Sequence, residues 1–126
     1  MPTCHVYFQR GSADLDSAAQ ALLDAGLRVV REDTGVQATR AGAPVFRIRL
    51  ALGRPASEAA DAATDAALAE QIRACDARFD VEFADLDEAL DEINTLMEVQ
   101  VALQDLTGGY LFLPWNGSVA GPEHGG

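Results

Sequence analysis

Between Ala77 and Phe83 apolar and charged residues alternate without exception, placing Phe79, Val81 and Phe83 on one side of an extended chain and Arg78, Asp80 and Glu82 on the other. A segment of that pattern is stable only as a half-buried strand. Two further runs share it. Phe46, Ile48, Leu50 and Leu52 alternate with Val45, Arg47, Arg49 and Ala51, and Cys4, Val6 and Phe8 alternate with His5 and Tyr7. Three one-sided strands demand a sheet with an apolar face, and something must cover that face.

The rest of the chain supplies the cover and the connections. Asp14 or Asp16 can cap a helix carrying Leu15, Ala18, Ala19, Leu22 and Leu23, which Gly26 stops. Residues 27–33 and 35–40 read as strands, and Ala41-Gly42-Ala43-Pro44 joins the second of these to the strand at 45–52 as a hairpin. Gly53-Arg54-Pro55 breaks the pattern, and an alanine-rich helix follows over 56–75 with only Leu68 and Ile72 as large anchors. Alanine favours helix but buries little area, so this helix depends on close approach to its neighbours.

Asp85-Leu86-Asp87-Glu88 has capping-box spacing, and Leu86, Leu90, Ile93, Met97 and Val101 follow at three- and four-residue steps until Gly108-Gly109. This predicts one helix over 85–107, about 33 Å long at about 1.5 Å per residue, with that stripe turned inward. Tyr110 to Leu113 reads as a final strand and Pro114 to Gly117 as a turn.

Twenty acids against nine bases leave a net charge of -11, which argues against nucleic acid or an anionic membrane as a partner. All the bases are arginine, a composition that suggests a GC-rich bacterial genome. Residues 1–57 hold seven arginines and five acids (+2), whereas residues 58–126 hold two arginines and fifteen acids (-13). From Asp80 to Asp105 there are nine acids and no base. Such a run is either a solvated helix face or a surface that steers a cationic partner. No run of apolar residues reaches the roughly 18 that cross a bilayer, and the start lacks the pattern of a secretory signal, so the expected location is cytoplasmic.

Motifs for catalysis are sparse. Cys4 and Cys75 are too few and too far apart for a disulfide framework or a zinc site, and adjacent strand residues such as Cys4 and His5 face opposite ways. No metal and no cofactor is expected. His124 sits in a glycine-rich tail, which leaves His5 as a binding or catalytic group or as a solvated strand histidine. Glycines that cradle phosphate precede a helix, whereas Gly108-Gly109 follows one. Trp115 beside Asn116 is either an exposed anchor or a plug folded back beside Phe112.

The segments FDVEF (79–83), DLDEALDEINTLMEVQVALQDLTGG (85–109) and YLFLPWNG (110–117) resemble the C-terminal half of small uncharacterised bacterial proteins, some of which are suspected immunity proteins of toxin systems. The resemblance covers about a third of the chain and brings no catalytic residues with it. What it implies is a binding role.

Together these observations predict a single α+β domain over 1–120 with a flexible tail at 121–126. The expected architecture is a two-layer sandwich, ferredoxin-like or related, with a mainly antiparallel sheet and helices on one face. Its expected core holds Val6, Phe8, Ile48, Leu50, Phe79, Val81, Leu90, Ile93 and Met97. The leading functional expectation is a non-enzymatic acidic protein, an inhibitor or immunity protein, that binds a basic protein through Asp85, Asp87, Glu88, Asp91, Glu92, Glu98, Trp115 and Asn116. The alternative is a ligand-binding or self-associating domain that uses His5, Tyr7, Arg47 and Arg49 on the opposite sheet face, with a homodimer as its natural form.

Overall fold

The three alternating runs lie side by side at the centre of one sheet. The computed structural model of the chain describes residues 2–9, 11, 13–42, 44–52, 60, 61, 63, 65–115 and 117–121. The break at Gly53-Arg54-Pro55 and the helix start after it, Asn116, and the tail beyond Gly121 lie outside the described residues. In chain order the elements are β1 (Thr3–Phe8), α1 (Leu15–Asp24), β2 (Arg28–Arg31), β3 (Val36–Thr39), β4 (Phe46–Leu52), α2 (Ala66–Arg73), β5 (Ala77–Glu82), α3 (Leu86–Asp91), α4 (Ile93–Thr107), β6 (Tyr110–Leu113) and β7 (Ser118–Ala120). The strands form one seven-stranded sheet in the order β2-β3-β4-β5-β1-β6-β7, and every neighbouring pair is antiparallel. The fold is α+β, as the alternation and the helical stretches require.

One face of the sheet carries Cys4, Val6, Phe8, Val36, Ala38, Phe46, Ile48, Phe79, Val81 and Phe83, all buried. Helices α1 and α4 pack on one another and cover this face with Ala18, Leu22, Leu96, Val99 and Leu103. Asp14 starts α1 in a capping box: its carboxylate accepts from the Ser17 amide at 2.8 Å, and its own amide donates to Ser17 Oγ at 2.9 Å. Phe8 and Phe79 pack with ring centroids 4.8 Å apart across the central pair of strands.

The layering has one addition. Ala60, Ala69, Ile72 and Cys75 form a second, smaller cluster with Tyr7 and Phe112 on the other face of the sheet. Tyr7 is therefore buried, at 3% exposure, and the Tyr110 hydroxyl donates to Gln71 Oε1 at 2.9 Å. The alanine-rich segment covers the β1–β6 end of this face, and Arg47 and Arg49 on β4 remain exposed.

The helix expected over 85–107 is two helices. Glu92, at φ -110° and ψ 45°, breaks it between α3 and α4. The inward stripe also differs from the expected one: Leu90, Ile93 and Met97 are exposed, together with Val101, and the buried face holds Ala89, Thr95, Leu96, Val99, Gln100, Leu103 and Gln104. The segment is apolar on two sides, so spacing alone fits either stripe. Polar chemistry separates them. Gln104 Nε2 lies within hydrogen-bond distance of the carbonyls of Gly109 (3.3 Å), Ala120 (3.2 Å) and Gly121 (3.2 Å), which ties β7, an element the sequence did not announce, to α4. Gln100 donates to Cys4 Sγ at 3.6 Å.

The two glycines after α4 do different things. Gly108 takes a left-handed conformation at φ +64°, and its amide closes the helix on Gln104 O at 2.7 Å. Gly109 packs its backbone on β1, where an added Cβ would lie 2.4 Å from Tyr7 O. Gly109→Ala is expected to lower stability by about 1–3 kcal/mol through a clash that backbone cannot relieve. Gly108→Ala is expected to cost about 1–2 kcal/mol through backbone strain. Asparagine tolerates the left-handed region, so urea unfolding should show Gly108→Asn recovering much of the loss and Gly109→Asn recovering none.

Candidate functional site

The open half of the second sheet face gathers charge from three strands. Strand alternation places Arg47 and Arg49 of β4, Arg78, Asp80 and Glu82 of β5, and His5 of β1 on that face, with Arg49, Asp80 and His5 in one cross-strand row and Arg47 opposite Glu82. Asp80 Oδ1 is the hub: His5 Nδ1 lies 2.6 Å from it and Arg78 Nε 2.7 Å. With Asp80 already occupied, Arg49 reaches diagonally to Glu82 Oε1 at 3.4 Å.

Burial pushes the Asp80 carboxyl up, but the hydrogen bonds from His5 and Arg78 outweigh it and hold the group below its usual range. The ionised carboxylate can only accept, so the proton between the two rests on His5 Nδ1. The imidazole also stacks on Phe112, with centroids 6.2 Å apart and planes 17° apart, and lies 5.8 Å from the Tyr7 ring. His5 is thus an anchored side chain and not a solvated one. The two cysteines are free and buried; burial pushes the Cys4 thiol up to about 12 and the Cys75 thiol up to about 11, so neither supplies a ready thiolate. Among the described residues no group of three or more His, Cys, Asp or Glu side chains is placed to hold a metal ion. No helix among them is long and apolar enough to cross a membrane.

The expected acidic site lies on the other side of the sheet. Asp85 caps α3, its Oδ1 accepting from the Glu88 amide at 3.1 Å. Asp87, Glu88 and Asp91 are exposed, and Glu92 sits at the break. Glu98 pairs with Arg40 Nη1 at 2.5 Å, and Arg40 also donates to Ala25 O at 3.2 Å, so this acid ties α4 to the end of α1. Trp115 folds back, but onto Phe83 (edge-on, centroids 5.8 Å apart), because Phe112 lies on the opposite face of the sheet. The nine acids of the run are not all free: Asp80, Glu82 and Glu98 are paired, Asp85 is committed to the cap of α3, and Asp87, Glu88, Asp91, Glu92 and Asp105 make no ion pair among the described residues.

Beside those acids runs the exposed stripe of Leu90, Ile93, Met97 and Val101, each between 39% and 51% exposed. Glu98 and Asp105 are the helical neighbours of Val101, and Asp87, Glu88, Asp91 and Glu92 crowd the N-terminal end. Part of that crowding is structural: Glu92 makes no side-chain cap, and nearby carboxylates offset the positive end of the helix dipole of α4. Of the four residues expected on this face, Tyr7 lies under α2, whereas His5, Arg47 and Arg49 share its open part with Arg78, Asp80 and Glu82. Their outward positions on β5 were readable; the strand register that makes them neighbours was not.

Because the Asp80 carboxyl is held below its ordinary value of 3.8, its contribution to stability is present above that value and is lost as pH falls through the lowered folded value. Asp80→Asn is expected to lower stability by about 1–3 kcal/mol at neutral pH, with the gap from the parent protein closing in acid. Urea unfolding from neutral pH to below pH 3.8 would check both the size and the sign.

In comparisons with known proteins, no family model, no curated protein and no solved structure matches this chain.

Proposed function

We propose that this chain is a small non-enzymatic binding protein, of the inhibitor or immunity type, that engages a basic protein partner through α3 and α4. The observation that carries the reading is the stripe of Leu90, Ile93, Met97 and Val101, exposed along a helix pair that contributes six acids and no base of its own, with Arg40 at its edge already paired to Glu98. The apolar side chains would form the dry centre of an interface and the acids its rim. Along α4, from Ile93 to Val101, the stripe runs roughly 12 Å at about 1.5 Å per residue, a length matched by about two turns of a partner helix, and Leu90 extends it across the break.

The partner's charge follows from what lines the stripe. A second copy would bring the same unpaired acids to the contact, whereas arginines or lysines beside an apolar surface would meet Asp87, Glu88, Asp91, Glu92 and Asp105. Self-association through the sheet face is the weaker reading, since α2 covers Tyr7 and a second copy would have to desolvate the charged side chains left beside it.

A cationic amphipathic helical peptide is the probe, with a scrambled peptide of the same composition as its control. The association rate is expected to fall steeply with salt, because exposed charges are screened over about 8–10 Å at physiological ionic strength. Asp91→Arg with Glu92→Arg should slow association about tenfold or more. Met97→Ala should act on dissociation, weakening binding by about 1–2 kcal/mol. Equal binding of both peptides, or indifference to these substitutions, would leave the acids as a solubility face.

A further inference from the structure

We infer that the open sheet face holds a second, separate site, a groove that takes a small monocarboxylate with an apolar tail. The groove has a volume of about 360 Å³ and is lined by Gln37, Val45, Arg47, Glu82, Phe83 and Ala84. Register makes it a built feature. Gln37, Arg47 and Glu82 form one row across β3, β4 and β5, and Val45 and Ala84, just beyond the ends of β4 and β5, line the groove beside them. The Phe83 side chain is buried in the core, so this residue contributes backbone to the wall.

The polar groups of the groove are unequally committed. Gln37 Nε2 donates to Glu32 Oε2 at 3.0 Å, and Glu82 is drawn towards Arg49. Arg47, exposed and directly opposite Glu82 in the register, has no ion pair or side-chain hydrogen bond among the described residues. The cause lies one row away: Asp80 serves His5 and Arg78, which turns Arg49 to Glu82 and leaves three guanidiniums sharing two carboxylates. A third carboxylate would complete the set.

A ligand carboxylate matches the planar fork of Arg47 in a two-bond contact, which a phosphate monoester would also offer. Glu82 separates the two. Its carboxylate stands across the groove, and repulsion from it grows with each negative charge on the ligand, so a monoanion is accepted and a dianion penalised. Val45, 45% exposed on the same wall, gives an apolar tail a surface to cover and makes acetate alone a poor occupant. The site lies on the face of the sheet opposite α4, and stands or falls separately from the protein partner proposed there.

Hexanoate is the probe, titrated into the whole chain with backbone amide shifts followed by NMR. Saturable shifts are expected at Gln37, Val45, Arg47 and Ala84. Arg47→Gln should weaken binding about tenfold or more, as loss of a charge-assisted contact does, and Arg47→Lys by less. Acetate should bind several-fold more weakly, hexylamine should leave these amides unmoved, and hexyl phosphate above pH 7 should bind more weakly than hexanoate, a gap that Glu82→Gln narrows. Arg47 is exposed, so its variants keep the fold, which their unaltered amide spectra elsewhere would verify. Shifts of equal size at exposed arginines such as Arg28, equal binding of hexylamine, or unchanged affinity in Arg47→Gln would overturn the site.

Discussion

The pairing of β1 with β5 is the constraint on which the rest of the molecule depends. It joins residues 75 positions apart, as in the His5–Asp80 contact, and it places the first strand of the chain between β5 and β6. Each later strand is positioned relative to that pair, and each helix packs on a face that the pair defines. Cys4, Val6 and Phe8 meet Val81, Phe79 and Ala77 on the covered side, and His5 meets Asp80 on the other. Closing a sheet through so distant a partner costs the loop entropy of the intervening chain, which the contacts of β1 with both of its neighbours must offset. The N-terminal strand is therefore as central to stability as any element made after it.

The electrical polarity of the sequence is partly cancelled by this topology. Arginines of the first half meet acids of the second: Arg49 with Glu82 across β4 and β5, and Arg40 with Glu98 between the end of β3 and α4. His5 of the first half meets Asp80 in the same way, beside Arg78 of Asp80's own strand. What survives cancellation is partly localised. Five acids without an ion pair among the described residues lie on α3, α4 and the break between them, and Arg47, which has no ion pair among those residues either, stands on the opposite face of the sheet with the apolar core between them. One small chain thus offers two surfaces of opposite sign, kept apart by the layer that folds it.

Strands were legible because a half-buried strand writes its two faces into alternate residues. Phe79, Val81 and Phe83 lie inward as the pattern demands, and β6 occupies the residues that Tyr110 to Leu113 suggested. The helical stretch at 85–107 was legible as helix and illegible as a surface. Leu90, Ile93 and Met97 have a spacing as regular as that of Leu96, Val99 and Leu103, and no periodicity argument ranks two apolar stripes on one helix. Asp80 illustrates the other limit: its outward side was evident, but its partners come from β1 and from two residues earlier on its own strand, and β1 is brought beside it only by strand order. The three-residue β7 carries too little pattern to be recognised locally. It exists because Gln104 and β6 hold it.

The same glutamine bears on why α4 leaves three large apolar residues, Ile93, Met97 and Val101, in water. Turning α4 by roughly a third of a revolution, at about 100° per residue, would bring Ile93, Met97 and Val101 inward. The same rotation would carry Leu96, Val99 and Leu103 out of the core, so hydrophobic burial alone is roughly indifferent to it. The rotation would carry Gln104 away from the carbonyls of Gly109, Ala120 and Gly121, and Gln100 away from Cys4. A buried carbonyl left without a donor, as that of Gly109 would be, costs about 1–3 kcal/mol, comparable with the gain from burying one aliphatic side chain. After such a rotation β7 would be held by its pairing with β6 alone. Where two apolar stripes are nearly equivalent, polar contacts such as these favour one orientation of α4, and the other stripe is left exposed for a partner.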